Sequence, residues 1–185
     1  MTRCRWVDPK SELYIAYHDR EWGRPEHNDR MLFEMLILEG FQAGLSWLTI
    51  LKKREAFRAA FDDFEPAVVA GYGSEKVDAL MADAGIVRSR AKIQAAIQNA
   101  KVFLAIQKEF GSFDCYLWGF SDGQPIVNRD DVFHTTTDLS DRISRDLKRR
   151  GMKFVGSTII YSYLQATGIV TDHELACFCH PDHLG

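Results

Sequence analysis

Lys148-Arg149-Arg150-Gly151-Met152-Lys153-Phe154-Val155-Gly156 carries the chain from a basic segment into an apolar one. It reads as a helix over 140–150, a short hairpin punctuated by glycine, and a second helix over about 157–167 that stops at Gly168. Such a joint offers backbone N–H groups and a helix N-terminus to a phosphate. A plain packing joint between two core helices explains the same residues. The segment therefore speaks for helices before it speaks for a ligand.

Outward from that joint the chain stays helical. Residues 29–39 are dense in Leu, Met, Phe and Ile, too apolar all round for a surface helix, which predicts a buried one. Residues 45–61 read as a helix with basic residues in its middle, and 74–84 as another, stopped by Gly85. Ser89 is placed to cap a long helix whose Ile93, Ile97, Ala100 and Leu104 form one stripe at the 3.6-residue period. A shorter helix is expected around 113–120, and 121–138, with its Gly, Pro, Asn and Asp, is expected to be loop. There is no period-two ladder, internal repeat or low-complexity tract. The fold class is all-α: a single domain over 1–185, with 1–27 and 169–185 brought together as a terminal region.

The 185 residues are 46% hydrophobic and 26% charged, the balance of a soluble globular protein with a proper core. No apolar run approaches a membrane span and none follows a basic start, so no membrane partner and a cytoplasmic location are expected. Four cysteines do not make a disulfide framework, which agrees with a reducing compartment. The net charge of −3 would argue against nucleic acid if charge were uniform, but three basic groups break that uniformity. They are Arg142, Arg145, Lys148, Arg149, Arg150 and Lys153; Lys52, Lys53, Arg54 and Arg58; and Arg88, Arg90 and Lys92. Local basic surface binds phosphate even on an acidic molecule. Solvated helix faces are the plainer account of any one group.

Cysteine and histidine crowd the two ends. Cys4, His18, His173 and Cys177 form a plausible ligand set, the last two being four apart and so on one face of a helical turn. Two sulfurs and two imidazoles suit tetrahedral zinc and leave no position for water or substrate. Cys179, His180 and His183 could replace either C-terminal ligand, and solvated histidines with apolar cysteines remain the alternative.

A second constellation is Leu38-Glu39-Gly40-Phe41-Gln42-Ala43-Gly44-Leu45-Ser46-Trp47. Glu39 ends an apolar run near a helix C-terminus, where the macrodipole disfavours negative charge, so it needs a compensating partner or solvent. Trp6, Tyr14, Tyr17, Trp22 and Trp47 either fill the core or stack on a planar ligand.

These motifs together resemble the DNA-3-methyladenine glycosylase I family, within the helix-hairpin-helix DNA glycosylases. The resemblance rests on Cys4-Arg5-Trp6, Tyr14-Ile15-Ala16-Tyr17-His18-Asp19, Glu21-Trp22-Gly23, Leu32-Phe33-Glu34-Met35, Leu38-Glu39-Gly40 and Gln42-Ala43-Gly44-Leu45-Ser46-Trp47. It continues through Lys52-Lys53-Arg54-Glu55, Lys153-Phe154-Val155-Gly156 and Asp172-His173, covering essentially the whole chain. Phe154 departs from the commonest hairpin, which has glycine there, and Phe41 stands where the family often has a polar residue.

The resemblance implies a helix-hairpin-helix glycosylase fold with one structural zinc held by Cys4, His18, His173 and Cys177. It implies that Glu39 and Tyr17 hydrogen-bond the excised base, Glu39 being the catalytic carboxylate. Trp47 would stack on that base, and Trp6 and Trp22 would wall the pocket. Gly44, Leu45, Lys153 and Gly156 would meet DNA, with Leu45 a wedge. Asp172, next to His173, is expected to orient that imidazole. The implied partner is double-stranded alkylated DNA and the implied product free 3-methyladenine, from a monomeric enzyme that leaves an abasic site and does not cut the strand. Two rivals are a zinc hydrolase, which needs an open coordination site, and a non-enzymatic helix-hairpin-helix module with structural zinc.

Overall fold

Six helices begin where a short polar side chain precedes an apolar run. Ser11, Asn28, Ser46, Ser89, Ser112 and Thr137 each accept a hydrogen bond from the N–H three residues on. A cap of this kind contributes about 1 kcal/mol. These caps open α1 (Glu12–Arg20), α2 (Asp29–Gln42), α3 (Trp47–Ala60), α6 (Arg90–Phe110), α7 (Phe113–Trp118) and α8 (Asp138–Arg149). Before α6 come the short α4 (Pro66–Ala70) and α5 (Ser74–Ala82), and after α8 comes α9 (Ser157–Ala166). This computed structural model describes residues 1–130 and 132–184.

α2 is the hub. Its residues 32–41 are buried without a break, and it packs on α3, α6, α7 and α9. The all-round apolar sequence of 29–39 is thus matched by an all-round protein environment. α6 buries Ile93, Ala96, Ile97, Ala100, Phe103 and Ile106. Leu104, expected in the stripe, is only half-buried, because the buried face runs through Phe103 and Ile106 instead. α9 lies between α2 and α8 and places Tyr163 at 0% exposure, its hydroxyl donating to Leu32 O at 3.0 Å.

α1, α4 and two short strands escape the sequence reading. α1 and α4 are too short and too weakly patterned to stand out. The loop over 121–138 contains β1 (Ile126–Val127), paired parallel with β2 (Val170–Thr171). A two-residue ladder has no period to detect.

Part of each basic group turns out to be structural. Arg54 is 8% exposed, its guanidinium donating to Glu34 at 2.6 Å and to Glu21 at 2.8 Å. Arg58 also donates to Glu34, at 2.8 Å. Arg150 pairs with Asp146 and Glu109, Arg90 with Asp78, and Lys92 donates to Phe41 O and Ala43 O.

The hairpin between α8 and α9 is pinned from both sides. Ser144 donates to Val155 O at 2.6 Å, and Asn99 of α6 makes a reciprocal pair with the Lys153 backbone at 2.8 and 2.9 Å. Phe154 has φ +54°, the left-handed region that glycine occupies freely, so its departure from the commonest hairpin costs backbone strain of about 1 kcal/mol. Gly156 caps α9 without a side-chain acceptor, leaving the first N–H groups of that helix free of one.

Candidate base pocket and metal centre

Glu39 sits in the last turn of α2, 4% exposed, and burial pushes its carboxyl up to about 8. No described residue hydrogen-bonds or pairs with it, so the solvated last-turn glutamate is excluded and no compensating partner stands among the described residues. Around it a cavity of about 260 Å³ is lined by Trp6, Tyr14, Tyr17, Trp22, Gln42 and Trp47, among others. Tyr17 is 5% exposed, and burial, then the charge of Glu39, raises its phenol well above the ordinary value. The rings of Tyr17 and Trp47 are 5.7 Å apart, while Trp6 stands edge-on to Trp22 at 5.0 Å and to Tyr14 at 5.1 Å. Trp47 Nε1 is buried without a hydrogen-bond acceptor. Five residues assigned to the base pocket thus converge on one space.

Sequence reasoning missed Gln42, Asn128, Ser162 and Gln165 in the same lining. Gln42 had a signal, since it directly follows Phe41 in the quoted stretch. Phe41 is 1% exposed, packed 4.9 Å from Phe57, and so faces the core. Gln42 stands at the mouth, its amide donating to Leu45 O at 2.7 Å. Gly44 and Leu45 form an exposed turn beside it, with Leu45 38% exposed.

At the opposite wall the termini meet. Cys4, His18, His173 and Cys177 are all buried, with donor atoms within 4.8 Å of one another. Cys4 Sγ lies 3.5 Å from His173 Nδ1, and Cys177 Sγ lies 3.4 Å from His18 Nε2 and 3.6 Å from His173 Nδ1. Tetrahedral zinc bond lengths place sulfur and nitrogen about 3.6 Å apart, so this donor set fits the ion. His173 and Cys177 converge through a tight turn, Cys177 N donating to Glu174 O at 2.7 Å, and not through the helical turn their spacing suggested. Cys179, His180 and His183 are outside the four-residue set.

The far ring nitrogens are held too. His18 Nδ1 meets Asp19 at 2.8 Å, and His173 Nε2 donates to Trp22 O at 3.1 Å. Asp172 was expected to orient His173 and does not. Its Oδ2 accepts from the Tyr161 hydroxyl and from Gln165 at 2.6 Å, while Oδ1 is buried without a donor. Asp172 belongs to the cavity lining instead.

Trp22 touches both regions: its ring stands 4.7 Å from that of His173 and also lines the cavity. A mostly helical body whose buried, unpaired carboxyl faces an aromatic slot, beside a hairpin whose second helix opens without a side-chain cap, has the shape and chemistry to enclose a flat, electron-poor ring. Residues 6–180 match the family described as methyladenine glycosylase, and the chain belongs to that family. It is 50% identical over 184 residues to DNA-3-methyladenine glycosylase 1 of Escherichia coli (strain K12), covering 98% of each chain. A crystal structure of 3-methyladenine DNA glycosylase I superposes with TM-score 0.94 at 51% identity, covering 97% of this chain and 100% of that one. A structure of the Staphylococcus aureus 3-methyladenine DNA glycosylase I, described as the basis of its 3-methyladenine recognition, superposes with TM-score 0.93 at 38% identity, covering 98% and 97%.

Proposed function

We propose that this chain is a monofunctional repair glycosylase that releases 3-methyladenine from alkylated double-stranded DNA by hydrolysis and leaves an abasic site. The observation that carries the reading is Glu39, buried and unpaired against the indoles and phenols of the pocket. A neutral base gains little from such a carboxyl; a cationic one supplies the charge it lacks.

Methylation at N3 gives adenine in DNA a positive charge, which weakens its bond to deoxyribose. The base swings out of the stack at a cost of a few kcal/mol, less for a damaged pair. In the pocket Trp47 covers one face of the cation, an attraction of roughly 0.5 to 2 kcal/mol. Glu39 and Tyr17 read its edge, and Trp6 and Trp22 exclude water from the remaining sides. Arrival of the cation draws the Glu39 proton off. Water adds to C1′ and gives up one proton to solvent, the glycosidic electron pair leaves with the base, and the base departs neutral.

Gly44 and Leu45 enter the gap, Leu45 as the wedge, while Gly156 and Lys153 of the hairpin hold a phosphate. One zinc ion, held by Cys4, His18, His173 and Cys177, supplies only structural cohesion when bound. The enzyme works as a monomer. No helix of the described residues is long and apolar enough to cross a membrane.

Incubation with methylated duplex DNA, followed by chromatography of released bases, tests the reading. Free 3-methyladenine with an uncleaved but alkali-labile strand is the expected result. Absence of any released base from the folded protein refutes it.

A further inference from the structure

The rim of the cavity carries a residue that neither the sequence motifs nor the pocket chemistry explains. Phe133 is 87% exposed and its neighbour Val132 54%, yet both line the cavity that holds Glu39 and Trp47. Among the described large apolar residues only Met1 is more exposed. A ring left in water by an unstructured segment would mean little, but the backbone around this one is braced. Asp130 Oδ1 accepts from Val132 N at 2.9 Å, Asn128 Oδ1 accepts from Asp130 N at 3.1 Å, and His134 reaches Asp130 Oδ2 at 3.1 Å. The base of the loop is fastened by the β1–β2 pairing and by Arg129, which pairs with Asp182 at 2.8 Å. Local hydrogen bonds therefore hold an apolar side chain outward at a pocket mouth, forgoing the burial it would gain elsewhere.

We propose that Phe133 is a stacking contact for the lesion-bearing strand. When the target nucleotide enters the cavity, this ring covers the exposed face of an adjacent base. The inference rests on the glycosylase reading above, because eversion of one nucleotide is what bares its neighbour at this mouth. An aromatic face suits any base there, since every base offers a π-face. Leu45, at the turn between α2 and α3, would fill the vacated gap, leaving Phe133 to hold the strand itself.

The test measures binding of wild-type protein, Phe133→Ala, Phe133→Leu and Phe133→Tyr to a duplex containing a stable abasic-site analogue, and separately to free 3-methyladenine. Stacking of this kind is lost at roughly ten- to hundredfold in affinity on truncation. Phe133→Ala and Phe133→Leu are expected to weaken duplex binding by about that factor, Phe133→Tyr to keep it, and all three to bind the free base as the wild type does. Unchanged duplex affinity in Phe133→Ala overturns the inference. So does wild-type duplex affinity in Phe133→Leu, which would mean mere apolar cover, or a parallel loss of free-base affinity, which would make the residue a lid on the pocket. Excision by the wild-type protein is assayed alongside: its absence defeats the glycosylase reading, whereas normal excision with an indifferent Phe133→Ala defeats this inference alone.

Discussion

Glu39 is the residue at which burial and binding pull against each other. Its carboxyl titrates near 8 in the folded protein because burial penalises the charged form, against about 4.3 in an unfolded chain. Between those values the folded state holds a proton that the unfolded state has lost. Its contribution to stability is therefore intact below about 4.3 and declines with rising pH until about 8, by up to roughly 1.4 kcal/mol per unit. Glu39→Gln removes this slope, and urea titrations at pH 5 and pH 8 should show the variant gaining stability relative to wild type as pH rises. The same proton opposes the cationic base, so kcat/KM for methylated DNA should climb from pH 6 and level off above about 8, while Glu39→Gln should be flat and at least about 100-fold lower. A pH–rate profile without that rise in the wild type would remove Glu39 from the chemistry. The sequence made this residue legible through its position at a helix end. It could not show Gln42 and Asp172 sharing the cavity, because both depend on how separate elements dock.

At the scale of elements, close approach and buried charge decide the packing. Gly168 ends α9 at φ +72°, and a Cβ there would lie 2.2 Å from the Arg24 carbonyl carbon and 2.4 Å from Pro25 N. Neither is a side chain that can swing away, so Gly168→Ala should cost about 3 kcal/mol or more from strain and overpacking together, measured as a lowered urea midpoint. Arg54 ties α3 to Glu34 of α2 and to Glu21 beyond α1. Arg54→Met should destabilise by about 3 kcal/mol, because Glu34, at 0% side-chain exposure, keeps only Arg58. A surface residue would change stability by a few tenths, so thermal melts distinguish the two pictures. α2 and α6 were readable because each segment carries its own signal, α2 an all-round apolar run and α6 a stripe at the helical period. The basic groups stayed ambiguous for the opposite reason: an arginine-rich segment has the same sequence whether it faces phosphate, water or a buried glutamate. The hairpin kept its sequence reading as a turn between two helices, and Phe154 at φ +54° marks the place where this chain carries strain that glycine would relieve.

Across the whole molecule the N-terminal segment is tied to the C-terminal end of the chain. Thr2 O accepts from Phe178 N at 2.9 Å, Gln165 O from Gly23 N at 3.0 Å, and Thr167 O from Glu26 N at 3.0 Å. Backbone hydrogen bonds of this kind contribute about 1 kcal/mol each, too little to order some twenty residues against their conformational entropy. The four-residue cluster supplies the remainder if it binds zinc, since metal binding that requires the fold is itself folding free energy. Trp6 and Trp22 stand 5.3 and 6.2 Å from the His18 ring and line the Glu39 cavity from the other side, so the four-residue cluster and the cavity share a partition. One zinc per chain is therefore expected by elemental analysis, retained through gel filtration. Stripping it with a chelator should lower the melting temperature by at least about 10 °C, a loss above 2 kcal/mol for a chain of this size. Excision and free-base affinity should fall together as the aromatic wall loosens, and both should return when zinc is restored. A hydrolytic metal would behave differently: activity would vanish at an unchanged melting temperature. Cys4→Ser separates the cases further, because a fastener with one ligand replaced loses stability first, and 3-methyladenine release that survives at low temperature in protein shown by elemental analysis to have lost its zinc proceeds without the metal's chemistry.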